Sequence, residues 1–254
     1  MNKPATYYGS IFRHGKSLYS QGNENQTLEG ANDLTPESIS FVRSNAEKMA
    51  AKISTVFKKI MIHSSPTGRT LHTSRIIKEV LEKRGFEVVV ELDEEIGEVR
   101  SFSWSLFEPL MNGGTITYGQ NTFVVNKKMT NPKGLGYPDY FMTDAIHRVS
   151  RRIKANWPKD FVQRLESFET FDSVTARVLR RTTDIMREHV NMRPTCNYYD
   201  VFVTHDAAVM FLLDLYTFGK KKSLEPGTCL TMGLFRGELD VLEIDGEEVV
   251  LPDI

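Results

Sequence analysis

Apolar residues fall along this chain in two rhythms, short continuous runs and stretches with a spacing of three to four, and the two alternate. Tyr7 to Phe12 is a short run that predicts a strand. Thr35-Pro36 then has the form of a helix start, a capping hydroxyl followed by proline at the first helical position. Ile39, Val42, Ala46, Met49, Ile53 and Val56 follow at helical spacing and define one buried face. Lys59 to His63 predicts the next strand, Arg69 to Arg84 the next helix with Gly85 as its stop, and Glu87 to Leu92, with three consecutive valines, a third strand. Val201 to Thr204 and Ala207 to Tyr216 repeat strand and helix. Thr228 to Phe235, Leu239 to Ile244 and Glu248 to Leu251 predict closing strands, the last two joined by an Asp245-Gly246 turn.

Strands that alternate with helices imply an α/β fold with helices on both faces of a sheet. The alternation breaks from about Ser101 to Arg193. There, Gly/Asn-rich and Pro-rich stretches (MNGGTITYGQN, TNPKGLGYPDY) give way to helical patterns from Asp139 onward. This reads as an insertion, about 101–193, within a single domain spanning 1–254.

Composition narrows the picture. At 254 residues with 40% hydrophobic and 26% charged side chains, the chain is long enough and apolar enough for one sizeable core. A net charge of −1 excludes the global basic footprint of a nucleic-acid binder, so anion recognition must be local. Cys196 and Cys229 lack the spacing of a disulfide framework or a zinc site and are expected as small buried apolar residues. Without a secretory leader pattern or a membrane-length apolar run, the expectation is a cytoplasmic protein that does not engage a membrane.

The chemistry-bearing residues sit in four clusters, each where a predicted strand ends: Arg13-His14-Gly15, Ser64-Ser65 with Arg69, Asp93-Glu94-Glu95, and Thr204-His205-Asp206. Ligands of open α/β sheets bind outside the carboxyl ends of the strands, so these clusters are expected to converge. Two arginines, two histidines and carboxylates suit hydrolysis of a phosphate monoester. Guanidinium forks hold phosphate oxygens, a histidine attacks phosphorus, and an acid protonates the leaving oxygen. Such a site needs neither metal nor cofactor if the arginines supply the positive field. A metal centre built from His14, His63, His205 and Asp206 is disfavoured, because no pair has helix-face ligand spacing.

Ile11-Phe12-Arg13-His14-Gly15 resembles the RHG signature of the histidine phosphatase superfamily, the phosphoglycerate mutase-like proteins. Leu34-Thr35-Pro36-Glu37, Ser64-Ser65-Pro66 with Arg69-Thr70 and His72-Thr73-Ser74, and Val203-Thr204-His205-Asp206 are similar to further segments of that family in the same order. The resemblance covers about half the chain. It implies a three-layer α/β/α fold with a mostly parallel sheet, here carrying a helical insertion over the active site. It also implies His14 as the phosphorylated nucleophile, a phosphate pocket of Arg13, Arg69 and a protonated His205, and a proton donor after the third strand. Leu92-Asp93-Glu94-Glu95-Ile96-Gly97 is similar to the family's "L.E...G", which places the donor at Glu94, with Glu95 second. In the acid phosphatase branch the donor directly follows the second histidine, and Asp206 stands there.

Lys16 follows the RHG run where the mutase-like branch often has Glu or Gln, and Ser20 replaces a common asparagine. The segment SLYSQGNENQTLEG lacks the tryptophans of true mutases, so a phosphatase acting on an anionic phosphorylated substrate is favoured. A mutase-like phosphotransferase and a catalytically weak phospho-ligand binding module are the alternatives. From Lys127 to Arg193, fourteen Lys and Arg stand against eight Asp and Glu, either a solvated helix surface or an electropositive wall for anions. Tyr137, Tyr140, Phe141 and Trp157 lie in or beside this stretch as core or pocket aromatics.

Overall fold

A computed structural model describes residues 7–18, 27–57, 59–98, 114–125, 158–166, 169, 171–191, 198–206, 209, 225–235, 238–244 and 247–248. The expected helix over Ala207–Tyr216 lies mostly outside these residues, apart from helical Asp206 and Val209. The Asp245-Gly246 turn, the strand beyond Glu248, the pattern from Asp139 to Trp157 with its aromatics, and Cys196 also lie outside them.

In chain order the described elements are β1 (Tyr7–Arg13), α1 (Pro36–Lys52), β2 (Lys59–Ser64), α2 (Gly68–Lys83), β3 (Glu87–Leu92), β4 (Gly114–Tyr118) and β5 (Asn121–Val125). They continue with α3 (Lys159–Glu166), α4 (Phe171–Asn191), β6 (Tyr198–Thr204), β7 (Cys229–Phe235), β8 (Glu238–Ile244) and β9 (Glu247–Glu248). The chain forms two compact units, one of Met1–Glu98 with Arg177–Ile254 and one of Val99–Ala176.

The first unit is built on a seven-stranded sheet of order β3-β2-β6-β1-β7-β8-β9. Its first four strands are parallel, and β7, β8 and β9 extend it by antiparallel pairing. The side-chain alternation of β-strands divides the residues cleanly between faces. Phe12, Ile60, Ile62, Val88, Tyr199, Val201 and Val203 face one layer and pack with Val42, Ala46 and Met49 of α1 and Ile76, Ile77, Val80 and Leu81 of α2. The other face carries His63 and Asp200, covered by the part of α4 that bears His189. Helices thus flank both faces of a mixed, largely parallel sheet in a three-layer α/β/α arrangement.

Helix α1 starts as the sequence predicts, with the Thr35 hydroxyl accepting from the Ser38 N–H and Pro36 opening the first turn. It ends earlier than the apolar spacing suggests. Ile53 turns to extended backbone and stays buried, whereas Val56 is exposed. Helix α2 ends at the expected glycine, because Gly85 adopts φ +87°, which a side chain would resist.

In the second unit, β4 and β5 pair as an antiparallel hairpin around Gly119 at φ +59°. This hairpin falls where the sequence suggests irregular chain. Its strands are only five residues long and are framed by the Gly and Asn residues that dominate the local composition. Helix α3 docks beside it through Tyr118, whose hydroxyl donates to Asp160 and whose ring lies 4.8 Å from that of buried Phe161. Among the described residues no helix is long and apolar enough to cross a membrane, and no three His, Cys, Asp or Glu side chains converge as a metal site. Cys229 is buried and forms no disulfide.

Candidate active site

The strand order β3-β2-β6-β1 sets four carboxyl ends side by side, and these are the ends that carry the polar clusters. Backbone bonds between neighbouring ends lock the turns together. The His14 N–H donates to the Thr204 carbonyl at 3.0 Å, the Ser65 N–H to Val203 at 3.0 Å, and the Asp93 N–H to Ser64 at 2.9 Å.

The turns after β1 and β2 are braced by hydroxyls of α2, which explains polar residues at buried helix positions. The Gly15 N–H donates to Thr73 Oγ1 at 3.0 Å, Ser74 bonds Ser64 at 2.9 Å, and Thr70 donates to the Ser65 carbonyl. His72 has a structural part, accepting the N–H groups of Asp33 and Leu34 on Nδ1. Gly15 is required by space, since a Cβ there would lie 2.5 Å from Ser38 Oγ and 2.9 Å from Leu34 Cδ1.

His14 donates from Nδ1 to the Gly15 carbonyl at 2.7 Å, so in the neutral ring the lone pair sits on Nε2. Burial, His205 and Arg69 hold its pKa well below the usual histidine value, while the Gly15 bond and Glu98 oppose them. The nitrogen is therefore unprotonated at neutral pH. The His205 ring meets that of His14 edge-on, with centroids 5.1 Å apart.

The tautomer of His205 follows from its partners. Arg69 can only donate, so Nδ1 accepts from it at 3.3 Å, and Nε2–H donates to Ser65 Oγ at 2.9 Å. Burial, then the charges of Arg69 and Arg177, push His205 well below its ordinary value. The protonated His205 expected from sequence is thus the neutral form in the free protein.

Arg13 pairs with Asp206 at 3.0 Å. Burial pushes the Asp206 carboxyl above its ordinary value against the pull of Arg13, with Glu98 adding to the rise. Asp206 Oδ1 and Arg69 Nε are buried and without a hydrogen-bond partner. A buried guanidinium N–H and a buried carboxyl oxygen left open are what a bound phosphate oxygen and the ester's leaving oxygen would satisfy.

The structure thus brings His14, Arg69 and His205 together and sets Asp206 on Arg13. Glu94 and Glu95 are exposed on a 3-10 turn, Glu94–Ile96, beyond β3. The carboxylate that reaches the histidine–arginine group is Glu98, which bonds Arg69 and lies 3.9 Å from His205 Nδ1. Sequence reading stops one residue short of it, at Gly97; a fourth acidic residue directly after the glycine was the available signal. Arg177 was also missed, because among the basic residues of a helix nothing in the sequence marks one as turned toward a loop. Ser65 and Thr73 were within the quoted motifs, but their partners appear only in the fold.

No protein-family model matches the chain. Among solved structures, phosphoglycerate mutase from Bacillus anthracis str. Sterne superposes with a TM-score of 0.54 over 98% of this chain and 93% of that one, at 13% identity. A mycobacterial glucosyl-3-phosphoglycerate phosphatase matches at a TM-score of 0.45, with 15% identity over 92% of this chain and 97% of that one. The protein histidine phosphatase SixA, complexed with tungstate, matches at 0.44, with 11% identity over 94% and 97%. With its sheet order and the first of these superpositions, the chain has the phosphoglycerate mutase-like α/β fold.

Proposed function

We propose that this chain is a phosphatase of the histidine phosphatase superfamily that hydrolyses phosphate monoesters, without a metal, through a phosphohistidine on His14. The observation that carries the reading is the state of His14: Nδ1–H is committed to the Gly15 carbonyl, Nε2 keeps its lone pair, and His205 and Arg69 stand beside it. A neutral imidazole aimed at an anion site is a nucleophile rather than a structural histidine.

In this mechanism Arg13, Arg69 and His205 hold the phosphate oxygens. The dianion draws a proton onto His205, because its charge reverses the field that keeps the free ring neutral. Nε2 of His14 attacks phosphorus as the ester P–O bond breaks, and a carboxylic acid protonates the departing alkoxide. Water then cleaves the P–N bond, giving its proton to the same carboxylate and releasing inorganic phosphate.

Asp206 is our assignment for the acid. It is the carboxyl whose surroundings favour the protonated form, and one of its oxygens is open. Glu94, the donor implied by the family motif, is exposed and enters the test as a comparison.

Release of inorganic phosphate from a panel of monoesters, with chelator present, tests the reading in wild type and His14→Ala. Turnover that resists chelator and falls by at least three orders of magnitude in His14→Ala is the expected result. Turnover within a few-fold of wild type in that variant would exclude the phosphohistidine route. Phosphate moved within the substrate, with little release to water, would point to the mutase-like alternative.

A further inference from the structure

The loop that follows β3 has few bonds of its own, the Glu95 N–H donating to the Asp93 carboxylate at 2.9 Å. Between Glu94 and Glu98 it forms one short 3-10 turn, in which the Gly97 N–H returns to the Glu94 carbonyl. Its carbonyls are further held by side-chain donors. Thr204 Oγ1 takes Ile96 at 2.6 Å. The Arg177 guanidinium on α4 takes the others, reaching Glu95, Gly97 and Glu98 and, at 3.5 Å, Glu94. One turn along the same helix, Arg181 anchors the start of the loop by an ion pair with buried Asp93 at 2.7 Å. At the far end of this held segment is Glu98, with its carboxylate on Arg69 and beside His205.

Arg69 is the residue to which the proposed function gives the substrate phosphate. Glu98 is therefore an anion already placed where the substrate's anion must bind. Its side chain is half exposed, so it can leave, whereas Arg69 is largely buried and stays. Resting on the phosphatase reading, we propose that Glu98 weakens phosphate binding by competing for Arg69, and that Arg177 is the positioning residue that keeps it there.

An incoming ester must displace or crowd the carboxylate, and it does so with contacts from its alcohol portion as well as its phosphate. Inorganic phosphate has only the phosphate contacts. The displacement cost is common to both, and only the ester offsets it with further contacts, so the bare product is held weakly and leaves readily. No covalent step is involved.

The experiment measures the dissociation constant of inorganic phosphate calorimetrically on the full chain for wild type, Glu98→Gln, Arg177→Gln and the double variant, with unfolding midpoints for each. Arg69→Ala is the reference for loss of the anion site. Glu98→Gln removes the competing charge and is expected to tighten phosphate about tenfold, the scale of one exposed charge against a partly buried one. Arg177→Gln is expected to tighten it several-fold by releasing the loop, and to add nothing in the Glu98→Gln background. Arg177→Lys keeps the charge but cannot fan across four carbonyls, so it should behave like the glutamine variant. It also serves in place of Arg177→Gln if that variant does not fold.

Unchanged or weaker phosphate binding in Glu98→Gln overturns the proposal, as does an Arg177 effect of equal size with and without Glu98. Absence of phosphate binding in every variant, together with absence of turnover in wild type, overturns the phosphatase reading beneath it. Turnover with an uncoupled cycle overturns only the inference.

Discussion

Single side chains in this protein carry opposite perturbations a few ångströms apart. Burial lowers the pKa of His14 and His205 and raises that of Asp206, which moves the bases and the acid of one site in opposite senses. The activity profile follows in sign. Loss of rate on acidification should come only below the ordinary histidine value near 6.5 (a reference value), as His14 takes up a proton. Loss on the alkaline side should track Asp206 giving up its own. Asp206→Asn should slow the first step by about 10²–10⁴-fold on alkyl phosphates, whose leaving groups need a proton, while an aryl phosphate still yields a burst of alcohol. Rapid-quench measurement of that burst, with Glu94→Gln alongside, identifies the acid. A leaving-group dependence in Glu94→Gln and none in Asp206→Asn would reverse the assignment.

Among the elements, α4 combines two tasks. Toward its start in the first unit, Arg177 and Arg181 hold the loop after β3. Toward its end, His189 Nδ1 bonds buried Asp200 at 2.6 Å, and Asp200 bonds His63 Nε2 at 3.0 Å across the sheet. His63 lies at the close of β2, stacked on Phe202 with centroids 5.0 Å apart. The structure gives it this bracing contact. Burial pushes Asp200 up to about 8, which favours the protonated carboxyl, with one donor and one acceptor, between the two rings. An asparagine reproduces that pattern. Asp200→Asn should stay within about 1 kcal/mol of wild type, whereas Asp200→Ala should lose about 2–4 kcal/mol by leaving two rings without partners and a void between them. Urea unfolding of the two variants checks this, and equal losses would mean that the cluster is held by the charged carboxylate.

Among the described residues, five histidines, His14, His63, His72, His189 and His205, are held below their ordinary value, chiefly by burial, His63 at about 4. Each is neutral in the folded state where the unfolded chain would be protonated. Unfolding therefore takes up protons, and stability falls as pH drops through about 6.5. Asp200 acts in the other sense, holding a proton that unfolding releases between about 4 and about 8, so its contribution declines as pH rises. The histidines outnumber it. The urea midpoint should fall from pH 7 to pH 5, and fall further in Asp200→Asn; a flat profile would contradict the burial assigned to these rings.

Strand and helix order was legible in the sequence because β3 and the buried faces of α1 and α2 are written in local apolar spacing, which burial enforces whatever the partners are. Thr35-Pro36 and Gly85 were legible because caps and stops depend on a residue or two. The clusters Arg13-His14, Ser65 with Arg69, and His205-Asp206 were visible as strand-end residues for the same reason. Tertiary structure decided which carboxylate meets Arg69, that His205 is neutral, and that Arg177 shapes a loop it is separated from by about eighty positions. Those outcomes depend on distance, burial and the summed field of groups that only the folded chain brings together, and no local spacing encodes them.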